Sequence, residues 1–199
     1  MKRICINKIS ASGKNYTICL GNGTATTFTN KDKAKQFVAE TNDFLTKQLY
    51  HINELYQLVD TFYRQQWGYF AHNKKTSATK LVETERHCAA TLREIENCLD
   101  LAVNRSSWTN GNYFTFYHLQ NAITGIKSIL KDLQPICKSQ SATTALNRID
   151  FYFMVAAKIE SDISNYAYLG ARLFKLSIHD LSYTDEFTPA LTQPKLKIA

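Results

Sequence analysis

Glu83 and His87 stand four residues apart, a spacing that puts two potential metal ligands on one face of a helix. An exposed helical pair is the competing reading, because no third ligand accompanies them. A di-iron helical bundle needs Glu-x-x-His on two of its helices, and the chain has no such pair. The five histidines, His51, His72, His87, His118 and His179, show no ligand spacing with one another or with the cysteines. Ser12-Gly13-Lys14-Asn15 carries the Gly-Lys of a phosphate-binding loop, but Lys8 stands where the first glycine belongs and Asn15 where Ser or Thr belongs. No Gly-x-Ser-x-Gly occurs, and His179-Asp180 is adjacent in sequence only. Glu85 and Glu160 lie on or beside apolar helical stripes; they are either acids with raised pKa values or stripe-edge residues paired with Lys or Arg. The expectation is a protein without catalytic residues, metal site or cofactor, and so not an enzyme.

The cysteines Cys5, Cys19, Cys88, Cys98 and Cys137 are odd in number and include no Cys-x-x-Cys. Cys88 and Cys98 on one helix would be about 15 Å apart along the axis, beyond disulfide reach. Free thiols in a reducing compartment fit better than a disulfide framework. Met1 to Lys8 contains no apolar run of the kind a secretory signal needs, and no segment approaches the ~18 apolar residues that span a bilayer. The expected location is the cytoplasm or another reducing compartment, with no membrane partner.

The chain carries 24 Lys and Arg against 17 Asp and Glu, a formal charge of +7. Lys2, Arg3, Lys8, Lys14, Lys31, Lys33 and Lys35 oppose only Asp32 in the first 35 residues, so nearly all the excess lies there. Lys2, Arg3, Lys8, Lys14, Lys31 and Lys33 are therefore the candidate contacts to nucleic acid or an acidic partner. A Lys-rich edge that keeps an exposed strand from aggregating is the alternative.

Seven glycines and three prolines among 199 residues are far below the usual share of about 12%. That scarcity excludes collagen-like and Pro-rich chains and disfavours a barrel of many short strands. Residues 2–29 predict a small antiparallel sheet. Ile4 to Asn7 alternates, Ser10 to Asn15 supplies a turn, Tyr16 to Leu20 and Thr24 to Thr29 are strands, and Asn22-Gly23 marks a hairpin. Thr29 or Asn30 caps a first helix running to Trp67, on a stripe from Ala34 through Leu45, Ile52 and Val59 to Phe62. Ser77 caps a second helix striped by Leu81, Cys88, Leu92, Ile95 and Leu99. Phe116 to Leu133 stripes a third, which Pro135 ends. A fourth begins near Thr143 and runs to about Ser177. The predicted fold is mainly α: a four-helix bundle with two long helices (30–179), a small basic three-stranded sheet (1–29) and an extended tail (180–199). Phe187, Leu191, Leu196 and Ile198 are the tail side chains available to a partner.

Aromatic residues crowd more than one helix face at Tyr113 to Tyr117 and Phe151 to Phe153, more than one core needs. They predict a homo-oligomer or a permanent structural partner. The order of three strands opening into a helix at Phe28 to Ala34 resembles the arm-binding domains of some integrases, although no recombinase catalytic set follows. The layout of the whole chain resembles head–tail connector or ring proteins of tailed bacteriophages, particularly the crAss-like group. That resemblance implies a virion component that forms a ring through its termini, and it carries no residue roles. The expected function is non-catalytic assembly through protein–protein contacts, with nucleic-acid binding by the basic sheet as the alternative.

Overall fold

The computed structural model describes Ile4 and residues 9–21, 24–72, 77–104 and 111–166. Three strands, β1 (Ser10–Ser12), β2 (Asn15–Gly21) and β3 (Thr24–Phe28), form an antiparallel sheet in the order β1-β2-β3. Four helices follow: α1 (Lys31–His72), α2 (Ala78–Asn104), α3 (Gly111–Ser139) and α4 (Thr143–Asn165). The mainly α fold with a small N-terminal sheet is thus as the sequence predicts.

The sheet is amphipathic in the way a period of two dictates. Ile18 and its partner Thr26 are buried, as is Phe28 opposite Tyr16, while the intervening Thr17 and Thr27 pair outward through their hydroxyls at 3.1 Å. The buried side packs on α1 and α3, and the Phe28 ring lies 5.4 Å from that of Phe37. The first hairpin differs from expectation. Gly13 takes a φ of +59°, so Gly13 and Lys14 alone make the turn, and Ser10 to Ser12 pairs as a strand. Of the alternating Ile4–Asn7 stretch only Ile4 is described. It is buried, and its N–H donates to Thr46 Oγ1 at 3.1 Å.

Asn30 caps α1, its Oδ1 accepting from the N–H groups of Asp32 and Lys33 at 2.8 and 3.2 Å. Ser77 Oγ accepts from Lys80 N–H at the start of α2. With 42 residues α1 is about 63 Å long and passes beyond Trp67, because Phe70 supplies one more fully buried anchor. The expectation that Pro135 ends the third helix is corrected: α3 continues to Ser139 with Pro135 inside it. Pro135 sits on the exposed side, and the next two residues, Ile136 and Cys137, are buried. Their burial holds the last turn helical against the missing hydrogen bond.

Cross-helix pairs fix the topology. Tyr56 Oη donates to Glu96 across α1 and α2 at 2.6 Å. His87 meets Asp132, and Thr115 meets the Ala102 carbonyl, so α2 and α3 are antiparallel. The Phe62 ring meets Tyr152 edge-on, and Phe44 stacks on Tyr166 at 4.0 Å, so α4 returns antiparallel to α1. The bundle is up-down-up-down, with one continuous core through its length. The expected run of α4 to Ser177 and the tail residues Phe187, Leu191, Leu196 and Ile198 lie outside the described residues.

Candidate interaction surfaces

The strand register brings part of the basic set together. Tyr16 pairs with Phe28, so the β1–β2 turn carrying Lys14 and the β3–α1 junction leading to Lys31 and Lys33 share one end of the sheet. Lys14 and Lys31 are exposed and Lys33 is half-buried. Lys35 adds a further ammonium, 3.7 Å from Asp32, in an exposed pair of little energetic weight. Lys2, Arg3 and Lys8 lie outside the described residues.

Of the positions with possible chemistry, His87 and Glu160 are engaged in pairs between helices, Glu83 is exposed, and His179 and Asp180 lie outside the described residues. His87 turns to Asp132 on α3, with Nδ1 2.5 Å from Oδ2, and so makes a pair between helices. Glu160 accepts from Lys127 Nζ at 2.8 Å, as a stripe-edge carboxylate does, and Glu85 is exposed. Among the described residues, no three His, Cys, Asp or Glu side chains gather where they could hold a metal ion. Cys88, Cys98 and Cys137 are buried free thiols. Burial pushes Cys88 up to about 12, with Asp132 adding to the effect, and Cys137 up to about 11. A thiol so placed is a weak nucleophile at neutral pH. Among the described residues, no helix is long and apolar enough to cross a membrane.

The second surface is apolar. On α4, Tyr152 is buried against α1 and Phe153 is half-buried, while Phe151 and Met154 stay 47% and 59% exposed. On α1, Leu58 is 50% exposed. The antiparallel contacts Phe62–Tyr152 and Phe44–Tyr166 set Leu58 level with Val155. Leu58 then flanks Val155 and Phe151 on the outer side of the α1–α4 groove, and Met154 lies further round α4. On α3, Phe116 is buried and Tyr117 is 47% exposed. Among the described side chains, the aromatics of both runs therefore divide between a buried and an exposed side of their helices. Leu58 escaped the sequence reading because it sits just beside a regular stripe, where a single apolar residue is ordinary on a helix surface. Comparison of the chain with protein-family models, curated proteins and solved structures gives no match.

Proposed function

We propose that this protein is a non-catalytic assembly component that works through protein–protein contacts. The observation that carries the reading is that Leu58, Phe151 and Met154, each about half exposed, lie on or beside the outer face of α4, whereas Tyr50, Tyr69, Val82 and Tyr117, exposed to a similar degree, are spread over the other helices. Such side chains contribute most when a neighbour removes them from water. The form of assembly we propose is the ring of a phage head–tail connector, which the layout of the chain resembles, with residues 180–199 lacing onto the adjacent subunit. Native mass measurement of the full chain and of a form lacking residues 180–199 tests this. A defined oligomer that needs the tail is the expected result. A monomer at every concentration, with or without the tail, would count against assembly.

The end-on gathering of Lys14, Lys31 and Lys33 supports a second reading, in which the sheet end contacts nucleic acid. The same mass measurement with duplex DNA added, at low and at high salt, decides it. Phosphate contacts predict binding that weakens steeply as salt rises. Absent or salt-insensitive binding removes this reading.

A further inference from the structure

An α-helix turns 100° per residue, so Arg148, Met154, Val155 and Asp162 all lie within about 60° of the direction in which Phe151 points. This outer face of α4 carries the cation Arg148 at its start, apolar side chains in the middle, and the Lys158–Asp162 pair towards its end, with the Asp162 carboxylate outermost along the helix. Arg148 is exposed and has no ion-pair partner among the described residues. Asp162 is paired within its helix to Lys158 at 2.5 Å, yet its side chain remains 34% exposed. Arg148 and Asp162 stand seven residues before and seven residues after Val155.

We propose that this face binds a second copy of the chain, α4 against α4, across a two-fold axis beside Val155. The proposal rests on the assembly reading in its general form; a two-fold contact joins subunits in pairs and is separate from the head-to-tail contact that closes a ring. An antiparallel pairing about that axis sets Arg148 of each copy opposite Asp162 of the other. It brings Phe151 onto the partner's Val155 and the aliphatic stem of its Lys158. Met154 meets its own symmetry mate, with Leu58 closing one flank. The pattern is self-complementary in both charge and hydrophobicity, which is what an isologous contact requires. In a parallel pairing in the same register, like charges would face each other at both ends. The contact is small beside a permanent interface, so it forms a concentration-dependent dimer that can serve as one joint of a larger array.

Sedimentation of the full-length chain over a range of concentration is the test, with folding of each variant checked by circular dichroism. The parent should dimerise and Met154→Glu should be monomeric. Arg148→Glu and Asp162→Lys should each weaken dimerisation about tenfold, and the double variant R148E/D162K should restore it. Arg93→Glu on the exposed side of α2 should change nothing. A double variant no better than the singles overturns the proposal. A monomeric parent overturns both this contact and the assembly reading. An oligomer lost on removal of residues 180–199 but indifferent to Met154→Glu and to the charge reversals overturns the contact and leaves assembly standing. A monomer that Phe151→Glu destabilises assigns the face to the chain's own residues beyond Tyr166 and also overturns the contact.

Discussion

Cys88 and Cys137 show how a residue that invites a chemical reading becomes a structural one. Both are fully buried, and Cys88 takes its place on the stripe between Leu81 and Leu92 as the sequence periodicity predicts. Spacing alone could exclude a disulfide between Cys88 and Cys98, but only packing shows that the thiols are held protonated. Their pH consequence has a definite sign. In the unfolded chain a thiol loses its proton near 9, whereas folding keeps Cys88 protonated to about 12 and Cys137 to about 11. Their contribution to stability is whole below pH 9 and is lost as pH rises from there through those values. Denaturant unfolding at pH 8, 9 and 10 should show falling stability, and Cys88→Ala should make the fall shallower. An equal slope in parent and variant would remove Cys88 as a cause. His87 marks the limit of legibility at this scale: its partner is 45 positions away on α3, and nothing in the local spacing indicates it.

Among the elements, the α2–α3 pairing is the closest, and Gly125 is the reason. A Cβ built at Gly125 would fall 2.7 Å from Ile95 Cγ1 and 3.2 Å from its Cδ1, and Ile95 is itself buried, so something at the contact would have to shift. Gly125→Ala gains up to about 1 kcal/mol in helix propensity but overpacks the contact at a cost of about 1–3 kcal/mol. The net effect should be a lowered Tm. In an Ile95→Ala background the same change should stabilise, since the space is then empty and only the propensity gain remains. A Tm change of the same sign in both backgrounds would show that the close approach is not the cause. The helices themselves were readable because their stripes repeat over many turns and Asn30 and Ser77 cap them. Gly125 was not, since a glycine inside a helical pattern looks the same whether it faces water or a neighbouring helix. Pro135 misled for a related reason. A proline on an exposed side is tolerated when the residues after it have a core to enter, and Ile136 and Cys137 do. The first hairpin shifted because one glycine at positive φ shortened a turn that the polar run Ser10 to Asn15 made look longer.

For the whole molecule, composition gave the class: few glycines and prolines mean few, long elements, and the structure has four helices and one small sheet among the described residues. The candidate site was legible in part. The charge gradient showed which end is basic, but the gathering of Lys14, Lys31 and Lys33 depends on strand register. The outer face of α4 depends on which helix α4 packs against, and no local pattern encodes that. The bundle's connectivity has a kinetic side as well. α2 and α3 are neighbours in sequence, whereas Thr41 and Tyr166, 3.0 Å apart between hydroxyls, are separated by 125 positions. Short loops close at lower entropic cost than long ones, so α2, α3 and α4 should pair through their short connections first and the α1–α4 seam should close last. Pulse-labelled hydrogen exchange during refolding should protect amides of α2 and α3 before those of α1; simultaneous protection would contradict that order. On a ribosome adding about 5–20 residues per second, α1 then emerges on the order of ten seconds before α4 exists. For that interval Phe44, Phe62 and the rest of the α1 side that α4 will cover stand open to any other chain nearby. The newly made protein is therefore most exposed to misassembly along the seam where its last helix has yet to arrive.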